Sequence, residues 1–128
     1  MSSESLHAPR ERLSRATITQ HQALVSLMEE LEASDWYRQR ADDCEDGPLK
    51  EILLHNMREE IEHACMILEW LRRNVPDWST QLDTYLYTTA PITEVEEEVT
   101  GGGGGSGDEG GEGPGKSKPR FTVGDLKG

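Results

Sequence analysis

The chain has 128 residues, enough for one small domain, and carries a formal net charge of −12. Such an acidic chain lacks the basic surface needed to bind nucleic acid or an anionic membrane. Aromatic residues make up only 5% of the sequence, so we expect a modest aliphatic core. The N-terminus has no apolar signal segment, and no run reaches the ~18 apolar residues of a membrane span. We therefore expect a cytoplasmic protein.

Apolar residues at helical spacing predict a first helix from about Pro9 to about Tyr37. The stretch ADDCEDGP that follows is typical of a loop, and Asp46 within it is a suitable N-cap for a second helix. We expect that helix to end near Asn74, before Pro76. Two long helices joined by a short loop form an antiparallel hairpin.

A shorter helical region is predicted after the hairpin. Asp77 can cap the segment WSTQLDTYLYT, and Pro91 precedes a last acidic turn, ITEVEEEV. No stretch shows the alternation of a β-strand, so we predict an all-α chain.

The first helix is apolar over a wider arc than one partner helix can cover. Its apolar and small residues occupy one face and both flanks: Leu24, Met28, Leu31, Val25, Trp36, Ala16 and Ala23. A helix with so wide an apolar arc needs more than one neighbour. We therefore predict that two hairpins dimerise into a ferritin-like four-helix bundle.

The second helix has a charged residue inside its apolar face. That face is formed by Leu49, Leu53, Ala64, Ile67 and Leu71. At about 100° per residue, Glu60 falls within this stripe and His63 at its edge. A carboxylate is costly to bury unless something compensates it. Glu60 and His63 are three residues apart on one face, close enough to bind one cation.

Glu60 and His63 form the pattern E-x-x-H, which di-iron and di-manganese bundles combine with one glutamate from each of two other helices. The first helix offers Glu29, Glu30 and Glu32, so one chain carries half of such a site. Two copies would complete it. The pattern also occurs by chance, and a glutamate buried against an arginine would explain it equally well. A solvated acidic edge is the alternative for the first-helix glutamates.

Other titratable residues are weaker candidates. His55 projects away from the stripe, and Glu59 is peripheral to it. Cys44 and Cys65 have no metal-ligand spacing, so we expect free thiols, with Cys65 as a packing residue.

Composition changes abruptly after Val99. Residues 101–128 hold 12 of the 13 glycines, which is typical of a flexible chain. We therefore divide the chain into a helical domain over 1–98, a disordered glycine-rich linker over 99–118 and a terminal peptide over 119–128.

The stretches SLMEELEASDWYRQR and ILLHNMREEIEHACMILEWLRRN resemble the encapsulated ferritins, two-helix relatives of ferritins held inside encapsulin nanocompartments. The resemblance covers residues of about 15 to 98. The terminal FTVGDLKG is similar to encapsulin cargo-loading peptides, which carry small and apolar residues around a Gly-x-Leu core.

The resemblance implies a ferroxidase that oxidises Fe(II) to Fe(III) with O₂ at a di-iron centre between two chains. It matches Glu30, Glu60 and His63 to the iron ligands. It matches Glu29 and Glu32 to a secondary site for calcium or another divalent cation.

The resemblance also implies surroundings and partners for this centre. Trp36 and Tyr37 match aromatic residues near the site. The residues matched to shell docking are Phe121, Val123, Gly124 and Leu126. The family forms a ring of five dimers, a homodecamer, and the encapsulin shell stores the oxidised iron. A non-catalytic iron-binding or structural cargo, or a peroxide-consuming di-iron protein, stays open as an alternative.

Overall fold

The computed structural model describes residues 5–102, and all the regular structure in this range is helical. The elements in chain order are a 3-10 turn (Arg10–Arg12), α1 (Arg15–Asp43), α2 (Gly47–Asn74), α3 (Pro76–Tyr85), α4 (Ile92–Glu96) and a π-helical turn (Glu97–Gly102). The prediction of an all-α chain is therefore confirmed.

The long helix α1 begins later than the sequence predicted. Ser14 has an extended backbone and its hydroxyl oxygen accepts a hydrogen bond from the Thr17 N–H at 3.0 Å, which is the geometry of an N-cap. Pro9 lies before the separate 3-10 turn, and Leu13 is extended at φ −100° and ψ 140°. The predicted start at Pro9 is wrong because the extended Leu13 interrupts the helical backbone.

The loop between the two long helices is shorter than predicted. α1 passes Tyr37 and continues to Asp43, so the connection is residues 44–46 only. Ala41, which was predicted to lie in the loop, is only 1% exposed, so packing holds it in the helix. Asp46 caps α2 as predicted, since its Oδ2 accepts from the Leu49 N–H at 3.0 Å. The predicted end at Asn74 is also confirmed.

α1 packs along α2, and the three-residue connection makes the pair an antiparallel hairpin. Its buried residues are Ile18, Leu27, Ala41, Ala64 and Leu71. Of the apolar stripe predicted on α2, Leu53 and Ile67 are half-buried, whereas Leu49 is 47% exposed. The core of one hairpin is therefore small.

Large apolar side chains remain exposed on both helices of the hairpin. Each is at least 38% exposed: Met28, Leu31, Trp36, Leu49, Ile52, Ile61, Met66 and Trp70. This distribution agrees with the wide apolar arc that the sequence assigned to α1. Dimerisation itself stays a prediction.

The chain divides into two compact units between Val75 and Pro76. In the second unit, Pro76 is the first residue of α3 and Asp77 lies in its first turn, so the predicted Asp77 cap is wrong. Proline suits this first position because its missing N–H would have no helical partner there. Pro91 precedes α4 as predicted, and Val95 is buried in this unit.

The π-helical turn reaches Gly102 and so includes the first residues of the predicted linker over 99–118. The terminal peptide 119–128 lies outside the described residues. Within the described range, no helix combines the length and the apolar character needed to cross a bilayer.

Candidate metal centre

One side chain of α1 and two of α2 meet to form a possible cation site. The ligand atoms of Glu30, Glu60 and His63 all lie within 4.8 Å of one another. His63 Nδ1 is 3.5 Å from Glu30 Oε1 and 3.5 Å from Glu60 Oε1. In the part of the chain that the structure describes, no other three such side chains meet in this way. The structure thus brings together the three residues that the resemblance matched to iron ligands.

Helix geometry explains why these side chains meet. Glu60 and His63 are three residues apart on α2, so they stack on one face. Glu30 reaches them from the antiparallel helix α1. The exposed fractions of the side chains are 25% for Glu30, 24% for Glu60 and 45% for His63. The cluster is therefore half-buried and still open to an ion from solvent.

The two carboxylates affect each other strongly. The pKa of Glu30 is raised above its ordinary value of 4.5, first because of a hydrogen bond with Glu60, which requires a proton between them. Partial burial and the negative charge of Glu60 raise this pKa further, and His63 lowers it. Without a cation, the pair therefore favours holding a proton.

The imidazole responds to the same carboxylates. Partial burial acts to lower the pKa of His63, but the charge of Glu30 and the hydrogen bond and charge of Glu60 outweigh it. The pKa of His63 is thus raised above 6.5. The cluster is an environment that favours positive charge.

The donor set fits iron. Carboxylate oxygens and an imidazole nitrogen are suitable ligands for iron, and no soft thiolate takes part. A bound cation would replace the proton shared by Glu30 and Glu60, so metal binding would release protons.

A second group of side chains lies behind His63, and its contacts were not predicted from the sequence. His63 Nε2 is 3.9 Å from Glu59 Oε1, and Glu59 Oε2 is 3.7 Å from His55 Nε2. These three residues follow one another at four-residue spacing along α2. That spacing was the available signal, but position relative to the apolar stripe led us to treat Glu59 as peripheral.

The glutamates predicted for a secondary site lie elsewhere on α1. Glu29 and Glu32 are exposed and do not belong to the three-residue cluster. Trp36 is 48% exposed, and Tyr37 is half-buried with the Arg40 guanidinium 5.1 Å from its ring centre. The secondary site stays a prediction.

The cysteines take no part in the cluster. Cys44 and Cys65 are free thiols, as predicted. Cys65 is exposed in the single chain, so its predicted packing would need a second copy and stays a prediction. It points outward because Ala64, its neighbour, occupies the buried side of α2. The predicted docking residues Phe121, Val123, Gly124 and Leu126 lie outside the described residues.

Comparison with known proteins places the chain in a family. The family model described as EncFtn-like matches residues 5–89. An encapsulated ferritin-like protein of Rhodospirillum rubrum is 49% identical over 127 residues, which is 99% of this chain and 91% of that protein. A ferritin-like protein of Thermotoga maritima is 55% identical over 85 residues, covering 66% of this chain and 75% of the relative.

Solved structures agree with this placement. The crystal structure of a Nitrosomonas europaea protein matches with a TM-score of 0.66 at 49% identity, covering 69% of this chain and 97% of that one. The family match spans more than half of the chain, and the R. rubrum relative matches nearly all of it. The chain therefore belongs to the EncFtn-like family of encapsulated ferritin-like proteins.

Proposed function

We propose that the chain is a ferroxidase that oxidises Fe(II) to Fe(III) with O₂, using Glu30, Glu60 and His63 as iron ligands. The observation that carries this proposal is the meeting of these three side chains, with all ligand atoms within 4.8 Å. The raised pKa of Glu30 supports it, because a carboxyl group that resists ionisation beside another carboxylate gains from a cation.

The complete centre requires two chains. Di-iron bundles use two E-x-x-H units and two further glutamates, and one chain supplies one unit and one glutamate at the cluster. The exposed apolar residues of α1 and α2 support association, because burying them would add to a small core. By resemblance, the dimers form a ring-shaped homodecamer.

In the proposed reaction the irons are the substrate, and the protein supplies the side chains that bind them. Two Fe(II) ions held close together would each give one electron to O₂, which would take up two protons and leave as H₂O₂. Glu30 and Glu60 neutralise part of the positive charge of the irons, and His63 adds a neutral nitrogen donor. Because the cluster is half-buried, the ligands are held in place by α1 and α2 while the ions still enter from solvent.

Glu29 and Glu32 are proposed as a secondary site for calcium or another divalent cation on the path of iron into the centre. Both are exposed three residues apart on α1, where like charges repel mildly and a cation relieves the repulsion. Trp36 and Tyr37 are proposed to lie near this path in the dimer.

We also propose that the protein is cargo of an encapsulin nanocompartment, where the shell stores the oxidised iron. The R. rubrum relative carries the name encapsulated ferritin-like protein and matches nearly the whole chain. The peptide FTVGDLKG supports the proposal, since its apolar side chains are suited to a groove in a shell protein.

The central experiment measures iron oxidation in a ligand variant. Glu60→Ala should lose most of the rapid absorbance rise seen when Fe(II) is added in air, because one of the ligands of each half-site is missing. Glu51→Ala is the matched control, since Glu51 is an exposed glutamate of the same helix. Equal rates in Glu60→Ala and the natural chain would contradict the ferroxidase and favour a non-catalytic iron-binding cargo.

A further inference from the structure

We propose that Glu59 is a positioning residue for the metal centre: it holds a proton on Nε2 of His63, so that Nδ1 presents its lone pair to the metal. This inference rests on the proposed function, because it takes His63 as a ligand. It assigns a role to a carboxylate outside the three-residue cluster.

The orientation of the His63 ring places its two nitrogens against different partners. Nδ1 faces the cluster, at 3.5 Å from both Glu30 Oε1 and Glu60 Oε1. Nε2 is on the other side of the ring, where its partner is Glu59 Oε1 at 3.9 Å. A cation among the three ligands therefore meets Nδ1 and leaves Nε2 to Glu59.

Glu59 has a further partner on the same helix. Its other oxygen, Oε2, lies 3.7 Å from His55 Nε2. His55, Glu59 and His63 are successive at four-residue spacing on one helix, so a single rigid element carries all three. The carboxylate is thus placed between two imidazole rings, with one oxygen directed at each.

The protonation of a neutral imidazole determines which of its nitrogens can bind a metal. The neutral ring carries one N–H, and the nitrogen that lacks the proton is the one that binds metal. A carboxylate beside Nε2 accepts the N–H there and fixes this tautomer. The distance of 3.9 Å exceeds a hydrogen bond, but a small rotation of the 46% exposed Glu59 side chain or a bridging water closes it.

The test uses the full chain with Zn²⁺, which is redox-inert and suits nuclear magnetic resonance. Nitrogen-15 shifts of His63, assigned by their loss in His63→Gln, should show Nδ1 bound to metal and Nε2 protonated. Titration calorimetry should show Zn²⁺ binding about 10-fold or more weaker in Glu59→Ala, in the range usual for such partners.

Two variants separate hydrogen bonding from charge. Glu59→Gln keeps an acceptor oxygen without the charge, so it should retain the Nε2-protonated tautomer and most of the affinity. Glu51→Ala removes one exposed charge from the same helix and should bind Zn²⁺ as the natural chain does. Glu59 is on the surface, so its variants should keep the helical circular dichroism of the natural chain.

The outcomes are distinguishable. If Zn²⁺ does not bind at His63 in the natural chain, the metal centre itself is overturned, and this proposal with it. If Zn²⁺ binds through Nδ1 but Glu59→Ala changes neither tautomer nor affinity, only the role of Glu59 is overturned. Binding through Nε2, or equal losses of affinity in Glu59→Gln and Glu59→Ala, would also overturn it.

Discussion

Glu30 is the residue at which stability and the proposed chemistry oppose each other. Its raised pKa means that the folded chain binds a proton more readily than the unfolded chain does at pH values above 4.5. Stability therefore falls as pH rises from 4.5 through the raised pKa, and the loss persists at higher pH. A carboxylate that the proposed metal site requires thus lowers the stability of the metal-free chain.

Glu30→Gln should raise the melting temperature of the metal-free protein at pH 7, because the glutamine removes the repulsion with Glu60. Glu60 affects Glu30 more than His63 does, so the lost His63 contact does not cancel the gain. The same variant should bind Zn²⁺ more weakly, measured by titration calorimetry. Glu51→Gln is the control with the same charge change, and a lower melting temperature in Glu30→Gln would contradict this account.

At the scale of elements, the last turn of α2 is held by an ion-pair cluster. Glu69 Oε1 accepts from Arg72 Nε at 2.8 Å, and Glu69 Oε2 accepts from Arg73 Nε at 2.7 Å. The hydrogen bonds from Arg72 and Arg73 lower the pKa of Glu69 from 4.5 to about 2. Arginines in the last turn of a helix also interact favourably with the helix dipole.

The pKa of Glu69 predicts an acid-sensitive contribution to stability. Its lowered folded value means that the contribution is present above pH 4.5 and is lost as pH falls toward 2. Glu69→Gln should therefore have a lower melting temperature than the natural chain at pH 7. Its free energy of unfolding should be lower by under about 1 kcal/mol, because the ion pairs are largely exposed. The difference should shrink as the pH approaches 2. If the stability difference stayed the same from pH 7 to pH 2, measured against the control Glu51→Gln, the charge of Glu69 would not be its source.

Local signals were enough to predict some elements but not others. Asp46 was predictable as a cap because its hydrogen bond reaches only to Leu49. The end of α1 was not predictable from local signals, because Ala41 stays helical through packing against the rest of the hairpin. Glu60 and His63 could be paired from their spacing on one helix. Glu30 could be selected only by resemblance, because its contact with them crosses between helices.

At the scale of the whole molecule, one hairpin buries few apolar side chains and leaves many large ones exposed. Leu71 is fully buried, but Leu31 is 52% exposed and Ile52 is 57% exposed. An additional copy packed on these side chains would remove apolar area from water, which is the main driving force of association. The half-set of proposed ligands at the cluster would also favour association, because a second copy would complete the site.

Metal should therefore favour larger assemblies. Native mass measurement should show a shift from small to larger species when Fe(II) is added without oxygen, because the ion links ligands of two chains. Glu30→Gln, which lacks one ligand of each half-site, should shift less. Identical distributions with and without metal would count against a centre at the interface.

The terminal peptide should be needed for encapsulation in the shell but not for Fe(II) oxidation. Deletion of residues 119–128 should abolish co-purification with a co-expressed encapsulin shell protein, because the proposed docking residues are removed. Fe(II) oxidation by the shortened chain should match that of the full chain. If the shortened chain is still encapsulated, another surface must bind the shell.

The short connection between α1 and α2 has a consequence for the order of events during synthesis. All three ligands are encoded between residues 30 and 63, and the two helices that carry them are joined by residues 44–46. Contacts between segments so close in sequence form rapidly, and N-terminal regions fold first as a chain leaves the ribosome. We therefore expect the three-residue cluster to form while the glycine-rich segment is still being translated, so that it could bind a cation before the proposed docking peptide is synthesised.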